Sequence, residues 1–318
     1  MASGARTSRT RTVEDAVSVS NSLRGHALRA ACLLAGGALA LTACSNNSES
    51  SNPSVAKVDV AKVDTIAAKV PADIKSSGKL VVGVNVPYQP NEYRDPSSGK
   101  IVGFDVDLMD AVAKVMGLNA DYKEADFEKI IPSIEAGTFN VGMSSFTDNK
   151  EREGTADFVD YFSAGSQWAQ QKGKAVDPDN ACGKRVAVQR TTVQDTDEIP
   201  AKSKACVAAG KPEIQKVAYD EQSAAANALV QGQVDAMSAD SPVTAYAIKQ
   251  ASDKIEAAGK IFDSAPYGWP VKKSSPLAPV LQEAVQYLMD NGQYKKIAEN
   301  WGVQEGAITK SVINGATS

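Results

Sequence analysis

Histidine is almost absent from this sequence, since the one histidine among 318 residues is His26. That residue lies in an N-terminal segment with the features of a removable leader, described below. The chain without it cannot contain a Ser-His-Asp triad, a Cys-His pair, an H-E-x-x-H helix or a Cys/His zinc site. Neither a G-x-x-x-x-G-K-[ST] loop nor a G-x-G-x-x-G fingerprint occurs, which excludes the commonest phosphate-binding and dinucleotide-binding motifs. The most frequent catalytic sites are therefore missing, and we expect neither a cofactor nor a metal.

Strong charge of one sign and long hydrophobic runs are also missing. The formal net charge is −4, and no cluster of lysine and arginine follows the N-terminal segment, so we expect no nucleic-acid partner. The apolar stretch at 30–41 is shorter than the about 20 residues that a permanent transmembrane helix needs. No other segment is apolar enough to span a bilayer. The length suits either one large domain or two lobes of about 100–150 residues.

The residues up to Cys44 form three zones that are typical of an exported protein. A basic, Ser/Thr-rich head ends at Arg29, the apolar stretch follows, and Leu41-Thr42-Ala43-Cys44 comes next. The apolar stretch fits the h-region of a signal peptide, and the tetrapeptide resembles a bacterial lipobox, whose cysteine receives lipid. We therefore predict a signal peptide over 1–43, and over 44–77 a lipidated cysteine and a flexible stalk that anchors the protein to the outer face of the cell membrane. The alternative is an apolar buried helix with two incidental cysteines.

The four cysteines divide into two groups under this prediction. Cys32 leaves with the signal peptide and Cys44 carries lipid, so Cys182 and Cys206 remain. Because an exported protein folds in an oxidising environment, we predict a Cys182–Cys206 disulfide. The alternative is two buried thiols.

From Lys79 onward, short β-branched runs alternate with helical patterns. This alternation predicts an α/β protein with parallel or mixed sheets. Strands are predicted at 80–84, 120–122, 185–188, 216–219 and 234–237, and helices at 104–116, 130–136, 222–229, 277–289 and 293–301.

Four blocks of residues, in this order and spacing, resemble a known family. They are V-V-G-V-N-V-P-Y-Q-P-N-E-Y at 81–93, G-F-D-V-D-L at 103–108, I-P-S through G-M-S-S-F-T to Arg152 at 131–152, and G-Q-V-D-A with D-S-P at 232–242. The chain over about 78–303 resembles the amino-acid-binding group of the bacterial extracellular solute-binding proteins, family 3, which have the type II periplasmic-binding-protein fold.

The resemblance implies two lobes, each a mixed sheet flanked by helices, joined by two hinge strands at about 167–171 and 267–271. The first lobe would be 78–167 plus 270–303, the second 168–269, and the C-terminal tail 304–318. The implied function is that of the extracytoplasmic, monomeric substrate-binding component of an ABC importer. It would capture an amino acid, expected to be polar, between its closing lobes and deliver it to permease subunits in the membrane.

An α-amino acid carries a carboxylate and an ammonium group, and each needs a charged partner when both leave water. By position in the motifs, the resemblance implies that Arg152 binds the carboxylate, helped by Ser145, Thr147 and Thr192. It implies that Asp240 binds the ammonium group. Sequence alone also allows Arg152 to lie on a solvated helix start and Asp240 to be a helix cap before a proline.

The resemblance places the side chain of the ligand between Tyr88 and Phe127, which otherwise would pack in the core. Asn85 occupies a position where relatives that bind cationic side chains often carry an acid, which argues against a strongly basic ligand. Whether Glu92 and Arg190 face the ligand is left open. Two other functions stay possible on this fold: a periplasmic dehydratase of cyclohexadienyl substrates, and a ligand sensor.

Overall fold

The structure is a computed structural model, and it describes residues 58–317. The predicted signal peptide and the predicted lipid site, Cys44, lie outside the described residues.

Helices and strands alternate through the first part of the described chain. In order they are α1 (Asp64–Ala67), α2 (Ala72–Ser77), β1 (Lys79–Val84), β2 (Tyr93–Arg94), β3 (Ile101–Val102), α3 (Phe104–Val115), β4 (Asn119–Glu124), α4 (Phe127–Glu135), β5 (Val141–Gly142), α5 (Lys150–Glu153) and β6 (Ala156–Gln171). The second part continues with β7 (Arg185–Gln189), a π-helical turn (Gln194–Glu198), α6 (Ile199–Ala208), β8 (Gln215–Tyr219), α7 (Gln222–Val230), β9 (Ala236–Asp240), α8 (Ser241–Gln250), β10 (Ile255–Lys272), α9 (Leu277–Asp290), α10 (Gln293–Trp301) and a 3₁₀ turn (Gln304–Gly306).

Eight strands form one mixed sheet in the order β4-β1-β5-β10-β6-β9-β7-β8. We call β4, β1 and β5 the first half, in which β1 is parallel to both neighbours, and β9, β7 and β8 the second half, in which β7 is parallel to both neighbours. The antiparallel pair β6 and β10 runs between the halves. The fold is therefore mixed α/β, as the alternating pattern predicts.

The two long strands are the segments that connect the halves. Residues 166–170 of β6 pair with β9, whereas Val271 of β10 pairs with Val141 of β5. Register shifts interrupt the β6–β10 pairing on both sides of Phe262. The predicted hinge segments, 167–171 and 267–271, lie in these strands, at the end of β6 beside β9 and the end of β10 beside β5. The division into lobes stays a prediction.

Apolar helix faces and strands pack into the largest core, on the first half. Val106, Met109, Val112 and Ala113 of α3 are buried at helical spacing, and each large apolar side chain stabilises the fold by about 1.5–3 kcal/mol when fully buried. The helix stops where Gly117 adopts a φ of 72°, a conformation that glycine tolerates best.

The segment before β1 is packed, which corrects part of the predicted flexible stalk. Ile66, Val70 and Ile74 recur every four residues and are 3%, 4% and 7% exposed. That spacing aligns them on one side of the α1–α2 segment, where they join the first-half core. The predicted stalk is therefore wrong over 58–77, and residues 44–57 lie outside the described residues.

Two element boundaries differ from the predictions. Helix α4 begins at Phe127 instead of residue 130, so Phe127 lies at a helix start. Strand β9 begins at Ala236 and extends to Asp240, beyond the predicted end at 237, because residues 236–240 are all buried beside β6.

The predicted disulfide is confirmed. Cys182 and Cys206 are bonded with a Cα–Cα distance of 5.5 Å, and they join the loop before β7 to α6. No helix within 58–317 combines the length and the apolar character needed to cross a membrane.

Candidate ligand-binding site

The loops that follow four parallel strands meet at one place between the two halves. Asn85 follows β1, Ser145 follows β5, Thr192 follows β7, and Asp240 is the last residue of β9. The carboxyl ends of parallel strands are where ligands bind in α/β proteins. A narrow cavity lies here, with about 280 Å³ of space between the atoms when the part open to solvent is included. It is lined by Asn85, Tyr88, Phe127, Ser144, Ser145, Thr147, Gln189, Thr192, Val193, Gln194 and Asp240.

Arg152 is the one predicted ligand-binding residue that is absent from this lining, and it lies beside it. Its guanidinium donates to the carbonyl oxygens of Thr147 at 2.8 Å and of Thr191 at 2.9 Å. The second contact crosses from the first half to the second. The backbone N–H of Arg152 is held by the Asn149 side chain at 2.8 Å, so Arg152 does lie at a helix start. The residue is nevertheless half-buried and does not project into solvent.

Two stacked aromatic rings lie beside the guanidinium of Arg152. Its central carbon lies 5.8 Å from the ring centre of Phe127 and 5.7 Å from that of Phe146, and the two rings stack at 4.3 Å. Burial lowers the pKa of Arg152, but an arginine starts so high that it stays charged at neutral pH. The arrangement presents a fixed cation at the edge of the cavity.

Asp240 is the only charged side chain among the residues that line the cavity. It is 7% exposed and accepts hydrogen bonds from the Tyr88 hydroxyl at 2.6 Å and from Gln194 Nε2 at 2.9 Å. Burial raises the pKa of Asp240, whereas these two bonds and the charge of Arg152 act in the opposite direction. Asp240 occupies the N-cap position of α8, but its side chain makes no capping hydrogen bond. The carboxylate is turned to the cavity instead.

A pair of amide side chains, Gln189 and Asn85, forms another wall of the cavity. Gln189 Nε2 donates to Asn85 Oδ1 at 2.9 Å across the two halves, and Asn85 Nδ2 donates to the carbonyl of Ala125 at 3.0 Å. Both side chains are buried, at 1% and 8% exposed. This wall is neutral and polar.

The hydroxyl residues differ in what they contact. Thr192 Oγ1 donates to the carbonyl of Gln189 at 2.8 Å. Ser145 adopts a φ of 51° and accepts from Asn91 at 2.8 Å, while Ser144 Oγ accepts from the backbone N–H of Asn85 at 3.1 Å. Ser144 therefore ties the loop to β1 while both serines line the cavity.

The two residues left open by the sequence lie outside the cavity. Glu92 is fully buried beneath Ser144, whose hydroxyl lies 3.2 Å from its carboxyl group. Burial, and then the neighbouring Asp105, raise the pKa of Glu92 well above its usual value. Arg190 lies at the rim, where its side chain is 54% exposed and pairs with Asp220 at 2.7 Å.

The rim carries a small excess of acidic side chains, because Asp126 pairs with Lys129 and Asp220 pairs with Arg190. Asp126 and Glu128 flank Phe127 on the first half, and Arg190 and Asp220 face them from the second. A cationic solute would be attracted to this opening.

Sequence reasoning missed Ser144, Gln189, Val193 and Gln194 as cavity residues. Gln189 ends a buried parallel strand, and a polar residue at that position points to the ligand edge of the sheet. Gln194 follows Thr192 by two residues and reaches Asp240 because a π-helical turn begins there. No sequence pattern marks that turn.

The fold and this cavity define a class: a binding protein that holds a small polar solute between the two halves of an α/β structure. Residues 80–304 match the bacterial extracellular solute-binding proteins, family 3, and the chain belongs to this family. The predicted family and fold class are therefore confirmed.

Curated relatives and solved structures agree with this assignment. The chain is 43% identical to the arginine-binding protein ArgT of Corynebacterium glutamicum over 78% of this chain and 82% of that protein. It is 30% identical to the glutamine-binding protein GlnH of Bacillus subtilis over 72% and 83%. An ancestral arginine-binding protein with bound arginine matches with a TM-score of 0.65 and 31% identity, over 70% of this chain and 98% of that one. These relatives are binding proteins.

Proposed function

We propose that the protein captures one amino acid in this cavity for an ABC importer, with Arg152 binding the α-carboxylate and Asp240 the α-ammonium group. The observation that carries the proposal is the placement of these two opposite charges on different halves, at one cavity between them. A ligand that bridges them holds the halves together, so its binding free energy drives closure. Ser145, Thr147 and Thr192 add hydroxyl or backbone donors beside Arg152.

The relatives support an amino acid as the ligand, and arginine is our first candidate. A 43% identical relative is named for arginine, the rim carries Asp126 and Glu128, and Tyr88 and Phe127 offer aromatic faces to a cation. Against this, the inner wall of Asn85 and Gln189 is neutral. That wall complements a side-chain amide equally well, so glutamine is the second candidate, supported by a glutamine-binding relative.

A thermal-shift screen tests this proposal. Residues 44–318 carrying Cys44→Ser are unfolded and refolded to remove retained ligand, then heated with each proteinogenic amino acid. A ligand at about 100 times its dissociation constant adds about 2.7 kcal/mol of stability. We expect arginine or glutamine to raise the melting temperature and Arg152→Ala to abolish the rise. No rise with any amino acid would refute the proposal.

The two ligand candidates, arginine and glutamine, should differ in how strongly the charges at the rim affect their rate of association. Asp126→Asn with Glu128→Gln removes two exposed carboxylates without touching the cavity. If the ligand is arginine, the double variant should bind it more slowly, and the difference should shrink in high salt. Glutamine association should be unchanged.

We further propose that Cys44 is lipidated and anchors the protein to the outer face of the membrane, where it meets permease subunits as a monomer. The support is the lipobox-like tetrapeptide before a polar segment. Metabolic labelling with a fatty acid should mark the full-length chain but not its Cys44→Ser variant. Label retained by that variant would refute the anchor.

We propose that the protein does not catalyse a reaction. The family and the relatives above are binding proteins, and a dehydratase would have to turn over its substrate. Incubation with cyclohexadienyl acids, followed by NMR, should show no product, and turnover that Asp240→Asn abolishes would establish the alternative.

A further inference from the structure

The C-terminal segment covers the outer edge of β6, close to the loop that carries Arg152. The backbone N–H of Asp160 donates to the carbonyl of Val312 at 2.9 Å, and that of Asn314 donates to Phe158 at 2.9 Å. The Ser311 hydroxyl donates to the carbonyl of Asp160 at 2.6 Å. Residues 307–316 thus occupy the edge of β6 that β9 leaves unpaired, and they fix Asp160 from outside.

Beneath this segment, two buried carboxyl groups face each other. Asp148 and Asp160 are 2% and 1% exposed, and none of their four side-chain oxygens has a well-formed hydrogen bond within the described part of the chain. The backbone N–H groups of Gly315 and Ala316 compensate only part of the cost of burying the pair, and two facing carboxylates that were both charged would still repel each other. The stable arrangement is one proton shared by the pair, with protonated Asp160 donating to Asp148.

The surroundings raise both carboxyl pKa values. Burial, and then the charge of Asp148, raise the pKa of Asp160 to about 8. Burial, and then the charge of Glu153, raise the pKa of Asp148 to about 6. Glu153 itself accepts from Ala316 N–H at 3.2 Å and pairs with Lys150 at 2.8 Å.

The pair is connected to the cavity through the chain itself. Asp148 stands between Thr147, whose carbonyl accepts from the Arg152 guanidinium, and Asn149, which caps the Arg152 backbone. The backbone N–H of Asp148 is fixed to the carbonyl of Pro266 at 2.9 Å. A displacement of Asp148 would therefore move both supports of Arg152.

We propose that Asp148 and Asp160 are positioning residues, whose shared proton, enclosed by the C-terminal segment, holds the Arg152 loop in its ligand-binding geometry. This inference rests on the proposed function of Arg152. Losing the proton leaves two buried carboxylates that repel each other, and the loop must shift or admit water. Ligand affinity then depends on a proton that no ligand contacts.

The sign of the pH dependence follows from the raised pKa values. The folded pair keeps its proton at pH values where an ordinary aspartate has lost it, and releases it as pH rises through about 8. The contribution of this pair to affinity is therefore constant below that pH and falls above it. The other charged groups near the pair are Glu153, Lys150, Asp157 and Lys273.

A second buried carboxyl pair complicates wild-type titrations. Glu92 and Asp105 lie beneath Ser145 in the same loop, and burial raises the pKa of Asp105 to about 7. The contribution of Asp160 is therefore isolated by substitution. Asp160→Asn keeps a donor for Asp148 without a titrating proton, and Asp160→Ala removes the donor. Asp73→Asn, an exposed position on α2, is the matched control.

Calorimetric titration with L-arginine at about pH 6 and about pH 9 tests the proposal. We expect the dissociation constant of the wild type and of Asp73→Asn to rise by about tenfold, the factor that one unit of pKa difference allows. Asp160→Asn should show a clearly smaller rise, and Asp160→Ala should bind weakly at both pH values. An equal rise in wild type and Asp160→Asn would overturn the proposal, as would wild-type affinity in Asp160→Ala.

A ligand-free measurement separates this proposal from the proposed function. Hydrogen exchange of the amides at 146–153, corrected for intrinsic rates, should speed up above about pH 8 in the wild type and not in Asp160→Asn. If that difference is seen while no amino acid binds, the positioning role stands and the proposed function fails. Identical exchange in both proteins would overturn the positioning role.

Gly315→Ala probes the C-terminal segment itself. A Cβ on Gly315 would lie 2.2 Å from Asp160 Oδ2, so either the segment or the Asp160 carboxyl group must move and the enclosure of the pair is disturbed. We expect faster exchange at 146–153 and at least about threefold weaker L-arginine binding at both pH values. Unchanged exchange and affinity would show that the segment has no part in holding the loop.

Discussion

The two sides of the cavity are built differently. On the first half, the loop that carries Arg152 is tied by distant residues: Asn91 holds Ser145, and Thr147 forms a bridge with Tyr267. On the second half, Thr192 contacts Gln189, three residues before it, and the N–H of Thr191 donates to Asp195, four residues after it.

This difference separates two tasks. Long-range contacts fix the first-half loop before any ligand arrives, which suits a clamp for the carboxylate that every amino acid carries. Local contacts hold Thr191 and Thr192 in the second-half loop, whereas its π-helical turn is held by longer-range contacts of Lys216 with Asp195 and of Gln194 with Asp240. Such turns are frequent at functional sites. We infer that the first half supplies the fixed clamp and the second half adjusts around the ligand.

The largest expected effect is at the fixed clamp. Arg152→Ala should weaken ligand binding by about 4 kcal/mol, because it removes a charge-assisted partner of the carboxylate from a desolvated site. Arg190→Ala is the matched control, since Arg190 is 54% exposed at the rim and should change affinity little. Titration calorimetry measures the affinity of both variants. An equal loss of affinity in the two variants would contradict the role of Arg152 as the carboxylate clamp.

The disulfide should matter for stability and not for affinity. Cys182 and Cys206 are separated by 24 residues, so their bond should stabilise the protein by about 3 kcal/mol. Denaturant unfolding of Cys182→Ser with Cys206→Ser should show this loss. Affinity should stay within about twofold, because the bond lies outside the cavity. A large loss of affinity would mean that the second-half loop depends on the bond.

Asp240→Asn should weaken binding by about 2 kcal/mol, since an amide replaces the charge opposite the ammonium group. Because burial raises the pKa of Asp240, wild-type affinity should fall with decreasing pH earlier than an ordinary aspartate would cause. Protonation removes the charge that the ligand needs. The variant should lack this acid-range decrease, and a decrease of the same size in both proteins would assign it elsewhere.

The smallest expected effect is at the contact between the halves. Tyr88→Phe removes the hydroxyl that donates to Asp240 at 2.6 Å and should cost about 1 kcal/mol of binding. Tyr122→Phe is the control, because its hydroxyl donates to Asp110 at 2.8 Å, away from the cavity. Titration should separate the two variants, and equal affinities would contradict a role for Tyr88.

Much of the fold follows from local patterns in the sequence. Gly117 and the apolar spacing in α3 predict that helix within one residue of its end, and β1 reads as a buried strand. The packing of 58–77 was not predicted, because the polar residues between Ile66, Val70 and Ile74 make the segment look weakly patterned despite the four-residue spacing of these three. The full length of β6 and β10 was also missed, since a strand shared by two halves of a sheet has no local signature.

The candidate site shows the same limit. Seven of the eight predicted ligand-binding residues line the cavity and Arg152 lies beside it, because the motifs mark the ends of the strands that meet there. The sequence did not predict Gln189 and Gln194 as site residues, because their roles depend on their hydrogen-bond partners at the cavity, Asn85 and Asp240. The Gln189–Asn85 pairing exists only after the halves come together, and the Gln194–Asp240 pairing joins two elements of the second half that are 46 residues apart in sequence.

The most direct test of the central claim compares three forms of the ligand: the amino acid, its α-carboxamide and its analogue without the α-amino group. Calorimetry should show that the wild type prefers the intact amino acid over both analogues. Arg152→Ala should lose only the preference over the carboxamide, and Asp240→Asn only the preference over the deaminated form. If Arg152→Ala still prefers the carboxylate as strongly as the wild type does, Arg152 is not the clamp and the account fails.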